Sequence, residues 1–385
     1  MNKLAQTKTA IGISVSLALL CACDKKKSSI SHEKPSVQEI LVDPGAAGEE
    51  NATEFFKEVK FIKLESSEDN LIGEITKIIF SADQIYILDR FTKTIFIFDI
   101  KGKFITKIRS VGEGPGEYAY LKDFNLDSVK NELVLYDMAH QKFLFYELDG
   151  TYKKEIRNGL FFSKFFPLGN GLWGLESPGR SNDPSNYFNI LIYDQNKNQV
   201  VNRFLPIRYP ALPPLDAPKN SSLTEGNVLF AYPFCDTLFS IAAEEACPKY
   251  VISCEQKFVN AQAADKYNMK SSEAYEKIRN DGKFFFYSYL TETKEWLHFS
   301  YAVNKRPFDV YYSKATKKTH HLKRATFDKA LDMFSPISSY RDYFVSPVDA
   351  QILFSLKEKL TGDIGALAKS ISAVDNPVLI LCKMK

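Results

Sequence analysis

The chain has 385 residues, 45% apolar and 14% aromatic, and its 50 basic and 47 acidic side chains leave a net charge of +3. That balance lacks the basic excess of a nucleic-acid binder, so no nucleic-acid partner is expected. The apolar content excludes a disordered chain, and the length exceeds an ordinary single domain unless the domain is built from repeats.

Lys3 and Lys8 precede an uncharged run, Thr9 to Ala22, that is too short to span a bilayer as a helix, so residues 1–22 read as a signal peptide. The run ends in Leu20-Cys21-Ala22-Cys23, which resembles a bacterial lipobox. The resemblance implies cleavage before Cys23 and acylation of its sulfur and new amino group, and several chains on one residue suffice for stable anchoring. Asp24 resembles an inner-membrane retention signal of some enteric bacteria. Surface export favours an acidic cluster after the cysteine, where this chain has Lys25-Lys26-Lys27. The expected location is the outer membrane, facing the periplasm, with the cell surface as the alternative. Residues 23–50 are polar and rich in Ser, Lys, Glu, Pro and Gly, and read as a lipid-anchored tether. Ile40-Leu41-Val42 within it has the character of a short docking strand. The folded domain is expected over 51–385, starting with an alternating strand, Val59 to Leu64.

A repeat follows. Ile85-Tyr86-Ile87-Leu88-Asp89 returns 48 positions later as Leu133-Val134-Leu135-Tyr136-Asp137. Lys93 to Phe98 returns as Gln141 to Tyr146, and Gly102 falls on Gly150. Short strands repeating at this period mark a β-propeller. The first blade reads Ile75–Phe80, Gln84–Asp89, Thr94–Asp99 and Lys103–Ile108, and the second repeats that plan from Gly116 to Ile156. A third, degenerate blade holds Gly171 to Leu175, Ile190 to Asp194 and Val200 to Leu205, interrupted by a loop from Ser177 to Asn186. A proline-rich loop over 206–222 leads to a fourth, with Asn227–Ala231, Asp236–Ile241 and Tyr250–Cys254. After a helix expected over Ser271 to Asn280, a fifth holds Trp296–Tyr301, Phe308–Tyr312 and Lys318–Leu322. A sixth holds Tyr343 to Val345 and Pro377 to Cys382. Between these, Ser355 and Glu358 form a capping box, and Leu356, Leu360, Ile364, Leu367 and Ile371 follow at helical spacing. The fold class is therefore all-β: a six-bladed β-propeller with short helical insertions in its C-terminal half. The strand around Phe61 is left over, and is expected to close the last blade beside the C-terminal strand, removing exposed edges.

Phe61-Ile62-Lys63-Leu64-Glu65, Leu71-Ile72-Gly73, Gly112-Glu113-Gly114-Pro115-Gly116-Glu117-Tyr118, Asp236-Thr237-Leu238-Phe239 and Asn376-Pro377-Val378-Leu379 resemble a family of six-bladed β-propeller lipoproteins of Bacteroidales. That family is related in architecture to NHL-repeat and TolB-like propellers. The resemblance covers nearly the whole mature chain and implies the fold without a common activity.

Chemistry-bearing motifs are few. Gly112 to Tyr118 lacks the lysine and the following helix that a phosphate loop needs, and reads as a blade connector. Asp89, Arg90, Glu113, Glu117, Asp137 and His140 belong to strand ends and connectors that emerge on one propeller face, and are the candidate ligand-binding residues. The recurring Asp89 and Asp137 also fit simple turn caps, and that reading is favoured. No metal site and no cofactor are expected: His320 and His321 point to opposite faces of a strand, and no Gly-x-Ser-x-Gly elbow occurs. Cys235, Cys247, Cys254 and Cys382 admit three pairings that spacing does not decide. The functional expectation is a monomeric, envelope-anchored protein that binds a small molecule, glycan or protein. The alternative is a propeller lyase or hydrolase working at the central channel. An enzyme should carry buried, perturbed polar groups at the channel mouth; a scaffold should carry an apolar patch.

Overall fold

The structure, a computed structural model, describes residues 37–177, 187–207, 219–232, 235–254, 277, 285–303, 306–333 and 335–385. Six antiparallel sheets stand in a ring, a six-bladed β-propeller. Blade I is Lys77–Ser81, Gln84–Asp89, Thr94–Asp99 and Phe104–Ile108. Blade II is Leu121–Asp127, Glu132–Asp137, Lys142–Glu147 and Tyr152–Arg157. Blade III is Lys164–Gly169, Leu172–Glu176, Phe188–Asp194 and Gln199–Pro206. Blade IV is Ser221–Thr224, Asn227–Phe230, Thr237–Ile241 and Ala246–Cys254. Blade V is Phe285–Glu292, Trp296–Val303, Arg306–Ser313 and Thr319–Phe327. In each of these five the first strand is innermost.

Blade VI holds Ser338–Tyr340, Tyr343–Val348 and Val378–Met384, and its outer strand is Phe56–Lys63 from the other end of the chain. Val378 pairs with Lys63 and Cys382 with Val59, so the ring closes as the leftover strand required. Asn376 locks the closure. Its amide nitrogen donates to the carbonyls of Glu65 (2.7 Å) and Asn70 (3.0 Å), and its amide oxygen accepts from Ile72 N–H at 2.8 Å. At Gly102 (φ +87°) an added Cβ would lie 2.2 Å from the Lys63 carbonyl, so the strand that closes the ring needs a glycine in the blade I hairpin.

The strands read as unbroken apolar runs because each blade is covered on both faces. Ile85, Ile87, Phe96 and Phe98 pack toward blade VI with Val345, Leu379 and Leu381. Their alternates Tyr86, Leu88, Ile95 and Ile97 pack toward blade II with Phe124, Leu133 and Leu135. The period of two distributes one strand between two interfaces. Between blades II and III the filling is aromatic: Tyr136, Phe143, Phe162, Phe165, Trp173 and Tyr193.

The N-terminal segment is not a bare tether along its whole length. Gln38–Val42 adds in parallel to the outer strand of blade IV, and Gly48–Asn51 to that of blade V. Ile40 and Val42 enter the core between those blades.

Two expectations are corrected or fall away. The capping box at Ser355 does not start a helix. Ser355 ends a helix, Ala350–Ser355, and its hydroxyl donates to the Ile352 carbonyl at 2.7 Å. A second helix, Gly362–Lys369, begins after a break, where the Asp328 carboxylate accepts from Thr361 N–H at 2.6 Å. Leu360, Ile364 and Ile371 are still buried together, so the apolar spacing reported burial while a turn over 356–361 divides the expected helix in two. The expected helix over 271–280, residue 277 apart, and most of the loops at 177–186 and 206–222 lie outside the described residues. Cys235 and Cys382 are buried free thiols, and burial pushes the Cys382 thiol far up.

Candidate functional site

The six sequence candidates divide by role. Asp89 and Asp137 are fully buried and close the same turn in consecutive blades. Asp89 accepts from the N–H groups of Gly73, Phe91 and Thr92, and Asp137 from those of Ala119, Tyr120 and Ala139. The turns match down to the positive φ of Lys93 and Gln141. Thr92 donates its hydroxyl to Asp89, and in blade II that position is His140, whose Nδ1 lies 2.5 Å from Asp137. Glu117 is spent inside its connector, where it accepts from Gly114 N–H at 2.7 Å. Arg90 is half-buried in its turn.

Glu113 alone stands out from its connector, with its side chain 78% exposed, and reaches His140 Nε2 at 2.6 Å. Asp137, His140 and Glu113 thus come together, while Asp89, Arg90 and Glu117 do not join them. The hydrogen bond to Asp137, then that to Glu113, raises the His140 pKa above 6.5. A raised folded-state value means this contact favours folding below 6.5 and fades as pH rises through the folded value. We expect the His140 ring titration, followed by NMR, to move back toward 6.5 in Glu113→Gln while staying above it through Asp137. An unmoved midpoint would show that Glu113 does not hold the ring.

A second constellation surrounds the propeller axis. In a blade, the start of the innermost strand and the end of the second strand lie at the same end of the axis. Along the innermost strands, and mostly toward that end, neighbouring blades are joined by polar side chains. Ser338 of blade VI donates to the Ile78 carbonyl of blade I at 2.9 Å. Lys77 of blade I meets Asp123 of blade II at 2.9 Å and the Phe124 carbonyl at 2.7 Å. Asp123 accepts from Phe165 N–H of blade III at 3.0 Å, and Asn125 donates to the Phe165 carbonyl at 2.6 Å. A bulge between Leu121 and Asp123 lets that carboxylate serve both neighbours. Glu176 of blade III accepts from the Ser221 hydroxyl of blade IV. Lys219, just before blade IV, donates to Thr291 of blade V at 3.0 Å, and Thr291 donates to the Pro336 carbonyl ahead of blade VI at 2.9 Å. The circuit is complete.

Its electrostatics are uneven. Lys77 and Asp123 neutralise each other. Glu176 is buried, and desolvation raises its pKa against the opposing pull of Lys164 and Ser221. Lys219 has no carboxylate partner among the described residues, and its pKa is pushed down to about 7, first by desolvation and then by Lys77 and Lys164. Perturbed ionisable groups gathered in one place mark a candidate functional site.

Beside this circuit, His298 is buried with Nε2 at 2.8 Å from Asp309 and Nδ1 at 2.9 Å from the Tyr289 carbonyl. Ser300 and Ser335 donate to the same Asp309 oxygen at 2.7 and 2.8 Å. Both ring nitrogens face acceptors, so neither is placed to take a serine proton, and the cluster is not a nucleophile–base–acid relay.

None of the axial residues was among the sequence candidates. Two traces of them exist. Lysine opens the inner strands of blades I and III, and Glu176 stands where the repeat has its capping aspartate.

Fold and axial site together define a six-bladed propeller with a charged mouth at one end. Residues 41–383 match a family described as a domain of unknown function, DUF4934, and the chain belongs to that family. A protein of Bacteroides fragilis named as exported is similar in structure, with 21% identity over 91% of this chain and 100% of its own, and a TM-score of 0.78. A member of the DUF4221 family from Bacteroides vulgatus is similar at 10% identity, covering 86% of this chain and 97% of its own, with a TM-score of 0.51. These likenesses concern the fold. The search of curated proteins returned no match.

Proposed function

We propose that this protein is an envelope lipoprotein, anchored through Cys23 in the outer membrane and facing the periplasm, whose propeller binds a small ligand at the charged end of its axis. The observation that carries the binding reading is the axial circuit itself. Buried charges cost folding free energy unless paired, and a core of apolar inner strands would be cheaper. Here Asp123 and Lys77 are paired, but Glu176 and Lys219 are held off their ordinary ionisation inside a rigid frame. Such pre-organised, under-satisfied groups suit a site that is completed by a ligand. A protein-binding scaffold would show its character in surface apolar area instead.

The anchoring half of the reading rests on Leu20-Cys21-Ala22-Cys23, and the exported name of the Bacteroides fragilis protein agrees with it. An NHL- or TolB-like kinship remains part of this proposal and rests on the blade repeat. Two measurements test it. Cys23→Ala should move the protein from the membrane to the soluble fraction of lysed cells; continued membrane fractionation would refute the anchor. A thermal-shift screen of small molecules should find ligands whose stabilisation of the intact protein is altered by substitution at Ser221 or Thr291. Ligands indifferent to both positions would refute the axial site.

A further inference from the structure

We infer that the Lys219 side of the axial mouth is a subsite for one compact anionic group, a carboxylate or a phosphate, on the small ligand. This rests on the binding reading above and adds the chemistry of what is bound.

Three lysines converge there: Lys77 from blade I, Lys164 from blade III and Lys219 at the entry to blade IV. Lys77 is committed to Asp123 and the Phe124 carbonyl. Lys164 faces Glu176 across the first register pair of blade III. Lys219 reaches Thr291 Oγ1 at 3.0 Å. An ammonium has three N–H donors, so two of Lys219's stay unclaimed among the described residues. The hydroxyl of Thr291 already donates to Pro336, so it offers Lys219 only a lone pair. Burial raises the Glu176 pKa and so weakens that acid as a counter-charge, against the Ser221 hydroxyl bond that favours its ionised form. The groups facing Lys219 are thus two cations, one acid turned toward a hydroxyl, one acid already paired, and neutral oxygens.

An anion at this position would satisfy the free donors, and would relieve both the burial of the ammonium and its repulsion by Lys77 and Lys164. A metal cation would meet the same three ammonium groups and be repelled. A compact group suits the subsite, because the inner strands opened by Lys77 and Lys164 are tied to the intervening blade through Asp123.

Proton linkage follows. Free Lys219 titrates near pH 7, and a bound anion would raise that value, so binding draws in a proton as pH climbs past 7. Affinity should be highest below pH 7 and weaken by up to about tenfold per pH unit above it.

The test is calorimetric titration of full-length, detergent-solubilised protein with inorganic phosphate, D-glucuronate and D-glucose at constant ionic strength. The expected result is saturable binding of phosphate or glucuronate at pH 6, with glucuronate, whose own charge is constant over this range, weaker by up to about tenfold at pH 8. Lys219→Met should abolish the binding and the pH dependence. The two anions separate a phosphate ligand from an acidic sugar. Absence of saturable binding by both anions overturns the proposal, and so does anion binding that survives Lys219→Met with its pH dependence intact. Glucose binding insensitive to Lys219→Met, without anion binding, would also overturn it while leaving the axial binding reading standing.

Discussion

Lys219→Met should make the protein more stable at neutral pH, by about 1–3 kcal/mol. A lysine whose pKa falls from 10.5 to about 7 on folding is penalised by the fold, because the unfolded chain holds a proton that the folded one gives up. The sign is the reverse of a salt-bridged lysine. Between pH 7 and 10.5 the unfolded chain binds more protons, so wild-type stability rises with pH across that window, and below 7 the penalty is at its full value. Taken at face value the shift corresponds to about 4–5 kcal/mol. Part of the residue stays accessible, and screening of that part reduces the figure to the range given. Methionine keeps the length and apolar stem while removing the charge. Denaturant unfolding of wild type and Lys219→Met at pH 6 and pH 9 provides the measurement, with the larger gain at pH 6. A variant less stable than wild type at pH 6 would show that Lys219 belongs to the frame. A residue retained against its own cost to stability is what a binding site requires.

The fold was largely legible because its signals are local and repeated. The strand pairs around Ile85 and Leu133 carry the same alternation, the same terminal aspartate and the same hairpin glycine. The strand at Phe61 had no partner of its own in the first blade, and closure supplied one. The innermost strands Lys164–Gly169 and Ser221–Thr224 escaped notice, because the first contains Pro167 and the second is four residues opening on consecutive serines. The axial site was not legible for a related reason. Lys77, Asp123, Lys164, Glu176 and Lys219 are scattered over four blades, and only ring closure brings them together. The sequence candidates clustered on the clean repeat, and what is cleanly repeated there is turn architecture: Asp89 and Asp137 cap backbone groups. The informative departure was Glu176, a longer acid in the aspartate's place, beside a lysine that opens its blade.

Asp123→Ala should be among the most damaging single substitutions in the protein, costing about 3–5 kcal/mol. Asp123 is buried and does two things at once: it neutralises Lys77 and accepts from the buried Phe165 N–H. Its removal leaves a lysine with the carbonyl and ring face of Phe124 but no counter-charge, and leaves a backbone donor unsatisfied at the seam of blades II and III. Loss of the charge partner is the larger part, so the double variant Asp123→Ala/Lys77→Met should be more stable than Asp123→Ala alone. A double-mutant cycle by urea unfolding should return a coupling of about 1–3 kcal/mol between the two positions. Lys77→Met by itself should destabilise, since it strands Asp123 in turn. Lysines at one mouth thus respond to the same substitution with opposite signs: negative where a carboxylate answers the charge, positive at Lys219 where none does. If Lys77→Met proved as stabilising as Lys219→Met, the pair would lose its role in holding the ring, and the division of the mouth into a paired frame and an open subsite would fall with it.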